Sequence, residues 1–396
     1  MKIYSAGLGI VTSLGIGVTA NYDALRNGEH GINSLSQETD PLLRGFPVAA
    51  LKKGNDELAL LSGLEMKFPR TVYLSMLAAR EALMNSGLDL HKFRTGFISA
   101  TTVGGMDLTE KFYGAFAKSR KNGHLADVIN HECGMVTDLV GQKIKANSFI
   151  TTISTACSSS SNAIIMGARM IKAGRLDIVI AGGADSVSSF TLNGFNTLLL
   201  LDSDLCLPFD NNRKGLNIGE GAGYIVMVSE KLADSGVITP DALLSGYSNV
   251  CDAYHQTATS PEGRGPYNSM SGAISAAGLS PSDIDYINAH GTATQNNDLT
   301  EAKAIRKVFE TRIPPLSSTK SYTGHTLGAS GAVAAIFSIL TLKNDIIFPN
   351  LRFSQPMTDA PLYPVTEVIY KNVSNVLTNS FGFGGNCSSM VFSKSK

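Results

Sequence analysis

Two distant stretches of this chain follow one plan, residues 81–105 (EALMNSGLDLHKFRTGFISATTVGG) and 272–294 (GAISAAGLSPSDIDYINAHGTAT). Each reads as a helix, a Gly-Leu cap, a short polar connection, an apolar strand and a Thr-rich loop. Gly87 and Gly278 stand where the glycine after a helix C-terminus belongs, because that position takes a left-handed conformation. A second pair, residues 149–171 and 314–340, runs from an extended segment into a helix of small residues. The separation far exceeds a solenoid period of about 20–50 residues, so the pattern predicts two similar halves fused in one chain. Asp177–Ala181 (DIVIA) reads as a strand buried on both faces, and Gly331–Leu342 as a buried helix. Alternating helices and strands require sheets covered by helices. The expectation is an α/β chain of two duplicated halves, 1–240 and 241–396, with a pseudo-twofold axis and no Pro/Ser linker between them. In such folds chemistry gathers in the loops that follow the strands.

Composition removes several functions. With 43% hydrophobic and 17% charged residues the chain is core-rich, which excludes disorder. Lys+Arg and Asp+Glu number 33 each, so the basic footprint of a bulk nucleic-acid binder is missing. The five cysteines (133, 157, 206, 251, 387) are scattered and form no C-x-x-C pair. That spacing fits a reducing, cytoplasmic setting and no zinc site. Residues 1–20 imitate a signal peptide, but four glycines interrupt the apolar run one requires. The segment is expected to be a buried first strand, Ile3–Leu8, with a Gly-rich exit. Gly7-x-Gly9 falls short of a dinucleotide loop because Thr12 replaces the third glycine. No window reaches the roughly 18–20 apolar residues of a membrane span, so no membrane partner is expected.

Four segments hold residue types suited to nucleophilic catalysis. In Ser154–Ser160 (STACSSS) a strand gives way to a small-residue helix at Cys157. A thiol there feels the positive end of the helix dipole, which favours its thiolate; the alternative is a buried structural cysteine. Asn288–Thr294 (NAHGTAT) sets His290 after a strand, with the hydroxyls of Thr292 and Thr294 free to hold a ligand or to cap the turn. Ser318–His325 (STKSYTGH) brings Lys320 and His325 into a small, apolar context. A lysine there requires a partner, and Glu301 is the candidate. Asn379–Asn386 (NSFGFGGN) combines three glycines with Phe381 and Phe383, which suggests backbone N–H groups close to a reacting atom.

Taken together and in this order, the four segments closely resemble the β-ketoacyl-acyl-carrier-protein synthases, condensing enzymes with a thiolase-like fold. The likeness runs from Gly7 to Gly385 and includes AGGAD (181–185) and PFDNNRKGLNIGEGAG (208–223). The T-K-x-x-T-G-H-x-x-G-A-x-G match places it with synthases I and II, which pair the cysteine with two histidines; synthase III lacks the second histidine. The resemblance implies a layered α-β-α-β-α body and a decarboxylative Claisen condensation of an acyl group with malonyl-acyl carrier protein. It implies that Cys157 carries the acyl group. It gives His290 and His325 the role of hydrogen-bond donors to the malonyl thioester oxygen. The backbone N–H groups of Cys157 and Phe383 would form a second oxyanion hole, and Lys320 paired with Glu301 would set the electrostatics. Thr292 and Thr294 match the residues that hold the phosphopantetheine arm. Phe383 matches the gate between malonyl site and acyl pocket, beside Phe381 and Gly384. No metal or redox cofactor is implied, since phosphopantetheine arrives on the carrier protein. The family forms homodimers; a heterodimer with a chain-length-factor-like subunit is also open.

Three departures stand out. Asn386-Cys387 replaces the usual Thr-Asn after the glycines. The compact stretch 106–140 and the segment Thr191–Leu201 differ from housekeeping enzymes and are expected to shape the acyl pocket, with Val103 and Phe195 as wall residues. A specialised acyl chain is therefore expected: unsaturated, aryl-capped or polyketide-like. Lys67, Arg70 and Arg213 are candidates for a basic surface that docks the carrier protein. The rivals are a thiolase using Cys387 as second cysteine, a chain-length partner without catalysis, and a scaffold. Cys387 follows the glycines instead of preceding them, and the full Cys157/His290/Lys320/His325 set argues against the others.

Overall fold

A computed structural model describes residues 1–34, 45–310 and 312–395. Among the described residues the main sheet has eleven strands: a short one, Gly15–Ile16, pairs only with the first strand, and ten lie in one continuous order. In the first half these are β1 (Ile3–Thr12), β2 (Thr95–Ala100), β3 (Phe149–Ile153), β4 (Ile178–Asp185) and β5 (Gly221–Ser229). In the second they are β6 (Ala242–Cys251), β7 (Tyr286–Asn288), β8 (Leu316–Ser317), β9 (Asn375–Gly382) and β10 (Asn386–Ser393). Their order is β8-β7-β9-β10-β6-β1-β5-β4-β2-β3. Counted outward from the centre, 1-5-4-2-3 on one side is repeated as 6-10-9-7-8 on the other. The duplication legible in the sequence is thus a duplication of topology. The halves meet where β1 and β6 pair antiparallel, Tyr4 opposite Leu243 and Ser5 opposite Ala242.

The helices complete the layers. Helix α1 (Arg70–Ser86) covers the outer face of the first half, against β1, β4 and β5. Helix α2 (Met106–Lys118) follows β2, α3 (Ser159–Lys172) follows β3, and α4 (Ser189–Thr197) follows β4. Helix α5 (Arg264–Ala276) covers the outer face of the second half, with α6 (Gln295–Phe309) packed on it. Between the halves lie α3 and α7 (Ser330–Asn344), which touch each other and strands of both halves. This is the expected α-β-α-β-α order. Leu327–Asn344 is apolar enough to cross a membrane, yet 89% of it is buried. Ile336, Phe337 and Ile339 are fully buried there, each worth about 1.5–3 kcal/mol relative to exposure.

The first strand runs to Thr12 instead of ending at Leu8, and the two glycines lie inside it. A Cβ at Gly7 would stand 2.3 Å from the carbonyl oxygen of Ala82, and one at Gly9 2.0 Å from that of Ala78. The Gly-x-Gly pattern therefore admits α1 against the strand and is no loop. The strand expected at Asp177–Ala181 extends to Asp185, which brings its carboxylate to the carboxyl edge of the sheet.

Candidate active site

Strand β3 ends at Ile153 and α3 begins at Ser159; the turn between them carries Cys157. Ala156 has φ +52°, a left-handed conformation uncommon for a residue with a side chain. Gly382, at the end of β9, presses on this turn: a Cβ would lie 2.7 Å from the Thr155 carbonyl oxygen. The backbone N–H groups of Cys157 and Phe383 both act on the Cys157 sulfur, stabilising its anion. Burial outweighs them. It pushes the thiol up to about 11, with Lys320 pulling down and Asp185 adding to the rise. The helix terminus was expected to lower this thiol; desolvation in a closed pocket reverses the sign.

The second half supplies the other groups. The His290 and His325 rings meet edge to face, with centroids 5.5 Å apart at 88°. Both are held well below the ordinary imidazole value, first by burial and then by the charge of Lys320. His325 Nδ1 accepts the Leu327 N–H at 3.0 Å, so its hydrogen sits on Nε2. Lys320 Nζ donates to the His290 carbonyl oxygen at 2.5 Å and lies 3.3 Å from His290 Nδ1. An ammonium has no acceptor, so His290 also keeps its hydrogen on Nε2. Burial draws Lys320 down to about 8, against the opposing charge of Glu301.

Glu301 is not in contact with Lys320: among the described residues no ion pair within 4 Å joins them. Its oxygens accept the N–H groups of His290 at 2.9 Å and Gly291 at 2.8 Å, and Asn379 Nδ2 at 3.1 Å. The expected ion pair is replaced by a carboxylate that grips the His290 loop while its field reaches Lys320. Asn379 went without a role in the sequence reading, because nothing in the local pattern predicts a cross-strand bond to α6.

Two cavities open at Cys157. One, of about 230 Å³, is lined by Cys157, His290, Thr292, Thr294, His325 and Phe381, with Thr257–Thr259 from a distant loop. The Thr292 and Thr294 hydroxyls are 2.8 Å apart, and the Phe381 ring lies 5.6 Å from that of His290. The other, of about 320 Å³, is apolar and lined by Val103, Met106, Phe190, Leu198 and Leu327 among others. Cys157, Phe195 and Phe383 line both. The Phe195 and Phe383 rings stack at 5.9 Å, 22° from parallel, and stand between the cavities. Gly384 lines neither; it is exposed, at φ +80°, and its N–H donates to the Gln256 carbonyl at 2.7 Å.

Residues 1–233 match the family described as beta-ketoacyl synthase, N-terminal domain, and 242–354 match its C-terminal domain. This chain belongs to the β-ketoacyl synthase family. It is a condensing enzyme of the acyltransferase type, acting in fatty-acid or polyketide synthesis. It is 30% identical to 3-oxoacyl-[acyl-carrier-protein] synthase 2 of Staphylococcus aureus (strain MRSA252), over 100% of this chain and 98% of that one. The identity to the same-named protein of Coxiella burnetii is 33%, over 99% and 98%. Among solved structures, the ishigamide ketosynthase/chain length factor matches at TM-score 0.93 with 27% identity, covering 100% of this chain and 99% of that one. The ketosynthase ApeO in complex with its chain length factor ApeC, from Xenorhabdus doucetiae, matches at TM-score 0.84 with 29% identity, over 100% and 98%.

The departures of this synthase acquire structural meaning. The Asn386 side-chain oxygen accepts from Ser158 Oγ at 2.7 Å, Asn162 Nδ2 at 2.9 Å and Asn249 Nδ2 at 2.8 Å. It ties α3 and the turn before it to β10 and β6. Cys387 is buried and lines neither cavity, and burial drives its thiol far up. Two of the three residues expected on a docking surface are committed to the protein itself, Arg70 partly buried and Arg213 buried. Arg70 is committed to Glu220, with Nη2–Oε1 at 2.6 Å, and to the Leu51 and Lys53 carbonyls. Arg213 is buried and donates to the Asp210, Thr294 and Gln295 carbonyls. Lys67 is exposed, next to Glu65 at 2.9 Å.

Proposed function

We propose that Cys157 takes an acyl group from a carrier-protein thioester and that its chain enters the apolar cavity. The proton of the thiol ends on the departing carrier thiol. A malonyl-carrier thioester then occupies the polar cavity, its phosphopantetheine arm along Thr292 and Thr294. Nε2–H of His290 and of His325 donate to the thioester oxygen as decarboxylation places negative charge there. The carbanion attacks the acyl-cysteine carbonyl, whose oxygen is received by the Cys157 and Phe383 N–H groups. Collapse of the adduct breaks the C–S bond and returns Cys157 as thiolate, while the malonyl carboxylate has left as CO2. The product is a 3-oxoacyl-carrier thioester. Lys320 sets the charge around thiol and imidazoles, and Glu301 positions the His290 loop. Phe383, backed by Phe381, gates the passage beside Gly384, and Phe195 and Val103 form the acyl wall.

One observation carries this reading: a single thiol opens on two cavities, and two neutral imidazoles line only one of them. The divisions 1–240 and 241–396 act as two halves of one catalytic body. The aromatic lining from Phe190, Phe195 and Phe383 favours an unsaturated, aryl-capped or polyketide-like primer over a saturated chain. The outer edge of β3, unpaired among the described residues, supports a dimer, and the scattered cysteines support a cytoplasmic setting; native mass distinguishes a homodimer from a heterodimer with a chain-length-factor-like subunit. The test is intact-mass analysis with a panel of acyl-carrier thioesters, alongside Cys157→Ala. An adduct that disappears in the variant is expected. No adduct with any chain on folded protein defeats the reading, and equal loading of saturated chains defeats the specialised primer.

A further inference from the structure

Asp185 ends β4 fully buried, at the carboxyl edge of the sheet behind the acyl cavity. No cation meets it among the described residues. Five donors do. Oδ1 accepts from Thr101 Oγ1 at 2.6 Å, Thr102 N at 2.8 Å and Val103 N at 3.2 Å. Oδ2 accepts from Thr102 Oγ1 at 2.6 Å and Gly328 N at 2.7 Å. A buried carboxylate so placed is stabilised by N–H and O–H dipoles instead of a counter-charge.

The donors come from two segments that the chain keeps far apart. Thr102 and Val103 form one wall of the apolar cavity, and Leu327 forms another. Leu327 also donates its N–H to His325 Nδ1 at 3.0 Å, the bond that leaves the hydrogen on Nε2. Leu327 itself is held at φ +51°, a strained conformation for a branched residue. Gly328 is fitted to this contact: a Cβ there would come within 2.8 Å of Asp185 Oδ2 and 3.0 Å of the Thr102 methyl.

We propose that Asp185 is a positioning residue: its carboxylate clamps the acyl-cavity wall at Thr102–Val103 to the Leu327–Gly328 turn that orients His325. One group thereby sets both the width of the acyl cavity and the aim of a malonyl-side donor. A chain that pushes the Thr102–Val103 wall outward pulls on the turn beside His325, so acyl fit and decarboxylation are linked. The inference rests on the roles given above to Cys157 and His325.

Asp185→Asn tests the clamp at constant size. The amide keeps one acceptor oxygen. Facing three donors, that oxygen takes the Oδ1 place, and the NH2 then confronts the Gly328 N–H. The tie to the turn is lost while the tie to the cavity wall survives. Gly328→Ala breaks the same tie from the other side, by contact with Oδ2. Three quantities are read on each variant: acyl loading of Cys157 by intact mass, malonyl-carrier decarboxylation, and the pH profile of Cys157 alkylation by iodoacetamide. Cys133, Cys157 and Tyr224 are the titratable groups that feel the Asp185 charge; Lys320, His290 and His325 face the thiol from the second half.

Both variants are expected to lose decarboxylation at least about tenfold, the effect of one misaligned donor. Both should load a broader range of chains while still acylating Cys157. Only Asp185→Asn, which removes the charge, should move the alkylation profile to lower pH. Asp185→Glu should recover the alkylation profile of the parent. The proposal is overturned if either folded variant decarboxylates like the parent with the parent's chain preference. It is equally overturned if loading and decarboxylation fall together in proportion to lost thermal stability. A parent protein that neither loads nor decarboxylates would instead defeat the proposed function, and the alkylation profile would still report on the charge.

Discussion

Replacing Lys320 by Met removes one charge and keeps the length of the side chain. The charge now sits 3.3 Å from His290 Nδ1. It is the largest influence lowering the Cys157 thiol, and it also lowers both imidazoles. A charge at about 4–6 Å moves a pKa by roughly 1–3 units. Without it, the thiol rises above its present value of about 11. Below that value the thiolate fraction falls tenfold per unit, so alkylation of Lys320→Met at fixed pH should slow by roughly 10–1000-fold. The imidazoles move the same way with the opposite consequence. Their values rise, so any acid limb in malonyl-carrier decarboxylation moves to higher pH than in the parent. The His290 carbonyl also loses its donor, a cost of about 1–3 kcal/mol for a buried group left unpaired. The assay is alkylation by iodoacetamide followed by intact mass across alkaline pH, with decarboxylation measured across acid pH. An alkylation profile unchanged in Lys320→Met, or moved to lower pH, would refute the argument that Lys320 acts through its field.

Two further outcomes are expected. In the parent protein, decarboxylation should stay flat as pH falls through about 6.5, because both imidazoles remain neutral below the ordinary value; a loss centred near that value would show that one of them titrates normally. Phe195→Ala should remove one side of the stacked pair between the cavities and shift acyl loading toward bulkier chains in a competition read by intact mass; a chain preference identical to the parent's would exclude Phe195 from the acyl wall.

Much of this architecture was legible because duplication is a long-range pattern written in short-range signals. The Gly87 and Gly278 caps are both left-handed, at φ +63° and +68°, as the repeated helix–Gly-Leu plan requires. The segments around Cys157, His290, Lys320 and His325 each end a strand, so one sheet edge gathers them. What escaped the sequence is what depends on contacts across the sheet. Glu301 lies one helical stretch after His290, and the need of a lysine in an apolar context for a partner suggested it for Lys320. In space three N–H groups reach it first. Arg70 and Arg213 look like surface cations in sequence, yet the folded chain gives Arg70 the Glu220 carboxylate and Arg213 a set of carbonyls as partners. The Thr257–Thr259 wall carries no pattern of its own; it lines the polar cavity because the loop after β6 falls there. The thiol erred in sign because a helix terminus can be seen in sequence, whereas the depth of a pocket cannot.

The way this site handles charge explains why its cation is free to act on the chemistry. Asp185, Asp298 and Glu301 are all fully buried carboxylates. Each is surrounded by donors of the main chain or of hydroxyl and amide side chains: Asp298, for example, accepts the N–H groups of Phe209 at 2.7 Å and Ala293 at 3.1 Å. Carboxylates held this way fasten loops: Asp185 the acyl wall, Asp298 and Glu301 the segment from His290 to Ala293. Had Glu301 instead closed on Lys320 as an ion pair, the ammonium would be neutralised where the thiol and imidazoles need it. Separation leaves Lys320 bonded to a carbonyl and an imidazole nitrogen, which orient it without cancelling its charge. Its field adds to burial in holding the His290 and His325 imidazoles neutral and partly offsets the burial of Cys157. In the proposed mechanism one cation thus serves both halves of the condensation, because the acids around it are satisfied by the backbone they hold.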